Sequence, residues 1–294
     1  MILSRESIIL NDIHYEFNEK GEDSLLIIST PHTCYSHAII EYFFSYFCVL
    51  EDIKNIFPTI NPTLLIRKKE FDLYPDNYKN VDIEQNIYKG IYYELMRIIT
   101  NKPILFEHNI KEINYKHLFI YPDINQRTLW NSSKYYPNRE NINIIYDDLY
   151  FKKKILSFRD TIYSRYNIIP INSKKHKMLF IDRISTVGRK IDDNIKKQIL
   201  YYGDEYNCNL VYLDGLPFEE QVKLFSQYNI FIYIHGSAAT NLIFAPLGSI
   251  CFELDTEHNR GMIYKRICDL LEHTHYVINY DKNMNIYEDI IKKI

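Results

Sequence analysis

The feature that most limits the fold of this chain is the regular alternation of apolar and amphipathic segments in its second half. Short apolar runs predict five strands, at residues 178–181, 209–213, 230–234, 249–254 and 275–278. The segments between them predict four helices, at residues 190–202, 217–227, 237–244 and 262–272. Apolar strands that alternate with helices are typical of a parallel sheet covered by helices on both faces.

The first half is less regular, but it also mixes strands and helices. Strands are predicted at residues 24–29, 63–66, 103–106 and 117–120, and helices at residues 37–50, 83–100 and 148–163. A chain of 294 residues is long enough for two domains with separate cores. We place the boundary near residue 168, which predicts an N-terminal domain of residues 1–168 and a C-terminal domain of residues 169–294.

The composition argues against several classes of protein. A formal charge of −3 gives no general attraction to nucleic acid or to an acidic membrane surface. Five scattered cysteines form no CxxC pair, which favours a reducing compartment and no structural zinc. The most hydrophobic stretch, residues 38–50, is too short to span a bilayer and includes a glutamate. We therefore expect a cytoplasmic protein with no nucleic-acid partner, no membrane span and no signal peptide.

Amino-acid usage adds a hypothesis about the source. The chain has 27 Tyr but only 8 Gly and 10 Pro, and Tyr has AT-rich codons whereas Gly and Pro have GC-rich ones. This bias indicates an AT-rich genome, such as that of a large DNA virus, in which case the protein would act in a viral factory or virion. Balanced base content in the coding region would contradict the hypothesis.

Polar residues gather where the predicted strands of the second half end. They are, in chain order, Asp182, Arg183, Arg189, Asp214, His235, Gly236, Glu253 and Asp255. Ligands of open parallel sheets bind beyond the carboxyl ends of the strands. Arginines pair with phosphates, the N–H groups of a helix start bind anions, and a carboxylate accepts hydrogen bonds from ribose hydroxyls. Together these residue types predict a site for a nucleoside diphosphate.

The centre of this predicted site is the segment IFIYIHGSAATN at residues 230–241. An apolar strand there delivers His235 and Gly236 to a helix start, where the outward-pointing N–H groups favour negative charge. Ser237 and Asn241 follow on the same helix. The residues alone leave two other interpretations open: His235 could cap a turn, and Asn241 could bond to the local backbone.

The same residues resemble the signature of glycosyltransferase family 61. The stretch FIYIHGSAATNLIFAPLGSICFEL is similar to the family's strand, His-Gly-Ala-Gly-Leu-Thr-Asn loop, Pro/Gly turn and Glu-terminated strand. Asp182-Arg183 with Arg189 resembles its Arg-rich loop, and LPFEEQ at residues 216–221 resembles its helix start. Upstream, CYSHAIIE at residues 34–41 is similar to a Tyr-x-His-Trp-Leu-x-Glu element. The resemblance is close over residues 178–254 and thin before them.

The resemblance implies an α/β fold of two Rossmann-like domains facing a cleft, the GT-B type. It implies inverting transfer of a sugar from a UDP-sugar, with the sugar of the xylose or N-acetylglucosamine type. It also implies that the reaction needs no cofactor and no obligatory metal. The expected partners are the nucleotide sugar and a glycan or glycoprotein whose hydroxyl accepts the sugar.

The resemblance also assigns roles to residues. Donor binding falls to Arg183, Arg189, His235, Gly236, Ser237, Asn241 and Glu253, the last through the ribose or base. In this fold the general base that takes the acceptor proton usually comes from the N-terminal domain, which makes His37 the candidate. Glu41, one helical turn later, could orient it. His37 could equally be a histidine at a helix start without a catalytic role.

Two departures from the family pattern leave a second function open. Ala238 or Ala239 stands where the family has its second loop glycine, and Ala38 replaces the tryptophan after the N-terminal histidine. The chain could therefore be a catalytically silent protein that binds a nucleotide or glycan. An α/β-hydrolase is disfavoured because the sequence has no GxSxG. Many plant and animal relatives have a Golgi anchor, and we expect none here, which favours the cytoplasm or a viral setting.

Overall fold

The computed structural model describes residues 6–10, 13–19, 23–29, 39, 43–67, 91–102, 104–106, 115–121, 146–172, 175–183, 191–255, 263–281 and 283–294. The chain divides into two compact units, each of which has its own sheet. The first unit comprises residues 1–131 and 141–147, and the second comprises residues 132–140 and 148–294.

The first unit is built on a six-stranded mixed sheet with the order β1-β2-β6-β3-β4-β5. Its strands are β1 (Glu6–Leu10), β2 (Ile13–Phe17), β3 (Asp23–Ser29), β4 (Thr63–Arg67), β5 (Leu105–Phe106) and β6 (Tyr115–Ile120). Strands β3 to β6 pair in parallel, and their order, counted along the chain, is 3-2-1-4. That is the order of the first four strands of a Rossmann fold.

An antiparallel hairpin extends this sheet beyond the parallel part. Strand β1 pairs with β2, and β2 pairs antiparallel with β6. The sequence analysis predicted no strand before residue 24, so the hairpin was missed. The signal was available, because the two apolar runs are separated only by Asn11-Asp12, a spacing typical of a two-residue hairpin turn.

Two helices of the first unit lie in the described part of the chain, α1 (Phe44–Ile56) and α2 (Ile91–Ile99). The first seven residues of α1 are all buried, as expected for a helix that is apolar around its whole circumference. A helix was predicted from residue 37, and residues 37, 38 and 40–42 lie outside the described part of the chain. Strand residues such as Leu26, Leu64 and Phe119 complete a dry core.

The second unit has a five-stranded, fully parallel sheet with the order β11-β10-β9-β7-β8. Its strands are β7 (Met178–Asp182), β8 (Asn209–Tyr212), β9 (Ile230–Ile234), β10 (Ile250–Asp255) and β11 (Thr274–Asn279). Counted along the chain, the order is 2-1-3-4-5, that of flavodoxin-like doubly wound folds. The winding direction reverses between β7 and β9, and ligands of such sheets bind at that point.

The helices of the second unit follow the predicted alternation. They are α3 (Asp148–Tyr166), α4 (Asp193–Gly203), α5 (Phe218–Ser226), α6 (Ile263–Leu270), α7 (Ile286–Asp289) and 3₁₀ helices at Ser237–Phe244, Asp204–Tyr206 and Ile291–Lys293. The nine strands and helices predicted between residues 178 and 278 are all present, with ends that differ by at most three residues. The segment that follows β9 is a 3₁₀ helix over its full eight residues.

Alternation along the strands gives the two faces of this sheet different characters. One face presents Phe180, Ile232 and Phe252, which join Ile195 and Ile199 of α4 in an apolar core. Side chains of successive strand residues point to opposite faces, so Tyr233 and Glu253 occupy the other face. This second face carries the polar groups described below.

Helix α3 groups with the second unit, whereas the sequence analysis counted it in the first domain. Its Phe158 ring lies 6.4 Å from that of Phe244, and its Tyr163 hydroxyl donates a hydrogen bond to the Phe244 carbonyl. Asp148 at its start pairs with the buried Arg266 of α6. No helix in the described ranges is long and apolar enough to cross a bilayer.

Candidate functional site

The site is organised around Glu253, a buried carboxylate in the middle of the second sheet. Strands β9 and β10 are parallel, and their register places Glu253 beside Tyr233. His235 follows two residues after Tyr233 and therefore lies on the same face, just beyond the end of β9. The backbone N–H of His235 donates to the carbonyl of Leu254, which holds the end of β9 against β10.

Both oxygens of Glu253 bind imidazole nitrogens. Oε1 accepts a hydrogen bond from Nδ1 of His235. Oε2 lies 2.9 Å from Nε2 of His275, a residue of β11 whose side chain is only 1% exposed. The Tyr233 hydroxyl lies 3.2 Å from the same nitrogen of His275. A single carboxylate therefore joins two histidines that stand 40 positions apart in the chain.

The charge on Glu253 follows from this environment. Burial by itself raises the pKa of the Glu253 carboxyl, but the hydrogen bonds and charges of His235 and His275 outweigh it and hold the pKa below its ordinary value. Glu253 is therefore ionised at neutral pH and acts only as an acceptor. It follows that Nδ1 of His235 and Nε2 of His275 are the nitrogens that carry hydrogen.

Two tyrosines enclose this cluster. Burial raises the pKa of Tyr233 well above its ordinary value, and the negative charge of Glu253 adds to the effect, so the phenol is neutral. The ring of Tyr264, on α6, lies 5.3 Å from the imidazole of His235. Tyr264 is buried, and it limits the positions that the imidazole can take.

Arg183 and Gly236 meet at the reversal point between β7 and β9. Arg183 directly follows β7, and Gly236 is the second residue after β9. A Cβ atom placed on Gly236 would lie 2.9 Å from Nη2 and 3.1 Å from Cζ of Arg183, so the guanidinium packs directly on the glycine backbone. The φ angle of Gly236 is 157°, which also favours glycine. A cation thus lies beside the start of the 3₁₀ helix.

Asn241 occupies a buried position inside the 3₁₀ helix at Ser237–Phe244. Its Nδ2 donates to Oε1 of Gln221 at 2.9 Å, and Nε2 of Gln221 donates to the carbonyl of Leu216 at 2.9 Å. The two residues come from separate parts of the sequence signature, and they bond to each other across α5 and the 3₁₀ helix. The contact fixes the helix in place rather than turning the amide of Asn241 toward solvent.

Asp182 lies on the opposite face of the sheet from Arg183. Its side chain is fully buried and forms an ion pair with Lys196 of α4, with Nζ 2.5 Å from Oδ2. Burial lowers the pKa of Lys196, but contact with the Asp182 carboxylate outweighs this and raises it. Asp192 caps α4 by accepting a hydrogen bond from the N–H of Asn194.

Among the residues predicted to bind the donor, Arg183 lies against Gly236 and His235 bonds to Glu253, while their binding roles stay predictions. Arg183, His235, Gly236, Ser237, Asn241 and Glu253 all lie in the second unit. Arg189, His37 and Glu41 lie outside the described residues, so their predicted roles remain predictions. Within the described residues, no group of three or more His, Cys, Asp or Glu side chains is arranged to hold a metal ion.

Three residues around Glu253 were given no role from the sequence, and they are Tyr233, Tyr264 and His275. Tyr233 was detectable, because it is two positions from His235 on one strand and must share its face. The register between β10 and β11 is set by packing across the whole sheet, so no local pattern predicted the pairing of His275 with Glu253.

A comparison with family models matches residues 35–251, which is 217 of the 294 residues, to the family described as Glycosyltransferase 61. The matched region contains Arg183, His235, Gly236 and Asn241, and it ends just before Glu253. No individual curated protein matches the sequence significantly.

Proposed function

The chain belongs to glycosyltransferase family 61, and we propose that it moves a sugar from a UDP-sugar to a hydroxyl group of a glycan or protein. The observation that carries the proposal is the meeting of Arg183, His235 and Gly236 at the reversal point of the second sheet. Ligands bind at this point in doubly wound folds, and the groups gathered here suit an anionic one.

The donor diphosphate is proposed to bind beside Gly236. The Arg183 guanidinium supplies positive charge and paired N–H donors, which match the oxygens of a phosphate. The 3₁₀ helix that begins at Ser237 adds backbone donors, because a helix start directs its first N–H groups outward. The absence of a side chain at Gly236 would let the phosphate approach the backbone closely.

His235 is proposed to contact the donor phosphate through Nε2. Its other ring nitrogen, Nδ1, already donates to Glu253, which fixes the orientation of the ring. An imidazolium in this place would have the carboxylate on one edge and the phosphate on the other. Negative charge develops on the leaving UDP as the sugar–phosphate bond breaks, and a fixed donor there would stabilise it.

The roles proposed here for Glu253 and Asn241 differ from those that the family resemblance implies. Both oxygens of Glu253 are bonded to histidines and the residue is buried, which favours a role toward His235 over contact with a ribose hydroxyl. We therefore assign Glu253 to orienting His235. Asn241 is fully buried and bonded to Gln221, and we assign it to holding the 3₁₀ helix.

The chemical step is proposed to be an inverting displacement within a GT-B arrangement of the two domains. The acceptor oxygen attacks C1 of the sugar, the bond from C1 to the UDP oxygen breaks, and the acceptor proton passes to His37. Glu41 would orient His37, and Arg189 would join Arg183 at the diphosphate. These cationic groups would neutralise the leaving UDP without a metal ion. A sugar of the xylose or N-acetylglucosamine type is proposed for the donor.

A donor panel tests the proposal. Purified protein is mixed with UDP-, GDP- and CMP-sugars, and both thermal shift and release of the free nucleotide are measured. We expect a shift and slow hydrolysis with UDP-sugars, both lost in Arg183→Ala and retained in Arg165→Ala, an exposed arginine on α3. Absence of binding and turnover with every nucleotide sugar would contradict the proposal.

The same experiment separates transfer from binding alone. A thermal shift with UDP-sugars but no hydrolysis or transfer to any acceptor would favour the silent binding protein. The base assignment is tested with His37→Ala, which should retain donor binding and lose transfer. Normal turnover of this variant with normal acceptor affinity would remove His37 as the base.

A further inference from the structure

We propose that His275 is a positioning residue that orients His235 through Glu253, an inference that rests on the donor-binding role proposed for His235. The chain of contacts runs from Nε2 of His275 to Oε2 of Glu253, and from Oε1 of the same carboxylate to Nδ1 of His235. The His275 side chain is 1% exposed, so it acts through Glu253 and not on the substrate.

The donor and acceptor count fixes the tautomer of His275. Glu253 accepts at both oxygens, so Nε2 of His275 must be the nitrogen that carries hydrogen. Nδ1 of His275 is buried and has no hydrogen-bond partner among the described residues. At Nδ1 a buried lone pair costs less free energy than a buried N–H without an acceptor. The favoured tautomer of His275 therefore has hydrogen on Nε2 alone.

Loss of this N–H would disturb Glu253 before it disturbed anything else. Glu253 is buried, and Oε2 would lose the 2.9 Å contact with Nε2 of His275. The hydroxyl of Tyr233 is a neighbouring polar group, because it lies 3.2 Å from Nε2 of His275. The carboxylate would turn to recover a donor, and Oε1 would then no longer be aligned with Nδ1 of His235. His235 would lose its fixed tautomer and orientation, and with them its alignment toward the donor phosphate.

Two substitutions of similar polarity separate positioning from packing. The amide nitrogen of a glutamine reaches the place of a histidine Nε2, whereas that of an asparagine reaches only the place of Nδ1. We expect the UDP affinity of His275→Gln to lie within about threefold of the wild-type value. The affinity of His275→Asn should be roughly tenfold lower, which corresponds to the loss of one hydrogen bond. His273→Gln is the control, because His273 is a buried histidine whose hydrogen bonds go to Leu242 and Ser249 instead of Glu253.

Nitrogen-15 NMR of histidine-labelled protein supplies a readout that packing alone would not change. In wild type and His275→Gln, the His235 signals should report hydrogen on Nδ1, and in His275→Asn they should report a mixture of tautomers. Equal UDP affinity in the two His275 variants, or weaker binding in both with unchanged His235 signals, would overturn the inference. If the wild type does not bind UDP, the proposed function fails, while the His235 signals still test the positioning.

Discussion

Gly236 is a residue with very little room to change, because the Arg183 guanidinium lies where a side chain would begin. We expect Gly236→Ala to weaken UDP binding by roughly tenfold or more, since the new Cβ would push the guanidinium away from the phosphate position. Stability should also fall, by about 1–3 kcal/mol, because a φ of 157° strains a residue that has a Cβ, although the displaced Arg183 atoms are the far end of a flexible side chain. Isothermal titration with UDP and chemical denaturation measure the two effects.

Gly248 provides the matched control for this substitution. It precedes β10, at the opposite edge of the sheet, and has a φ of 74°. Among the described residues, none beyond its chain neighbours comes within 4 Å of the position that a Cβ would take. Gly248→Ala should therefore cost stability through backbone strain and leave UDP affinity unchanged. Equal losses of UDP affinity in both glycine variants would show that the effect of Gly236→Ala is not local.

His273 should make the second unit less stable in acid. Burial lowers the pKa of His273 to about 4 from an ordinary value of 6.5, even though its Nε2 donates to the Leu242 carbonyl. Between these values the unfolded chain takes up a proton at His273 and the folded chain does not. The contribution of neutral His273 to the free energy of unfolding is complete above pH 6.5. It declines as the pH falls toward 4, by roughly 3 kcal/mol in all.

Urea denaturation of wild type and His273→Gln at several pH values measures this contribution. The free energy of unfolding of the variant should be lower at pH 7.5, since a glutamine has no acceptor at the place of Nδ1 for the N–H of Ser249. The variant should nevertheless lose less stability on acidification. Parallel curves for the two proteins between pH 6.5 and 4 would show that His273 titrates normally in the fold.

At the scale of elements, the bond between Asn241 and Gln221 joins the 3₁₀ helix to the start of α5. We expect Asn241→Ala and Gln221→Ala each to cost about 1–3 kcal/mol, because each leaves a buried amide without its partner. The double variant should cost less than the sum, as it removes both groups. Denaturation of the four proteins gives the coupling energy. Additive losses, or a loss of UDP binding in Asn241→Ala at unchanged stability, would instead favour direct ligand contact by Asn241.

The strands and helices of the second unit were predictable because the spacing of apolar residues in the sequence matches the pattern of buried residues in the structure. The run at residues 230–234 is wholly buried in the sheet, and its predicted and observed limits coincide. The hairpin of β1 and β2 was missed, although its alternating pattern and two-residue spacing are visible in the sequence. Helix α3 groups with the second unit and not with the predicted first domain, because a helical pattern does not identify the sheet that the helix covers.

Some residues of the candidate site were predictable from the sequence, but their contacts were not. The rule that ligands bind at strand ends placed Arg183 and His235 at one edge, and the structure shows Arg183 against Gly236 there. The partners of Glu253 depend on the register of three strands, which no local pattern specifies. The two imidazole contacts of Glu253 were therefore not predictable from the sequence, and its contact with ribose stays a prediction.

At the scale of the whole molecule, two sheets with separate cores form two units. Ile232→Ala should cost about 2–5 kcal/mol, since Ile232 is fully buried in the core of the second unit. If each unit folds around its own core, hydrogen exchange should accelerate in β7, β9 and β10 and remain slow in β3 and β4.

Leu26→Ala is the reciprocal variant, because Leu26 is fully buried in β3 of the first unit. It should accelerate exchange in β3, β4 and β6 and spare β9. Faster exchange throughout both sheets in either variant would show that the two units unfold as one.

The 3₁₀ winding of Ser237–Phe244 has a consequence for the length of the chain. Because β9 and β10 are parallel, the chain must travel back along the full length of a five-residue strand, about 17 Å, before β10 can begin. Eight residues advance about 16 Å as a 3₁₀ helix but only about 12 Å as an α-helix. The larger rise per residue of the 3₁₀ helix lets this short segment span almost the whole distance. The distance to be spanned, as much as side-chain chemistry, therefore sets how many residues can separate His235 from Glu253.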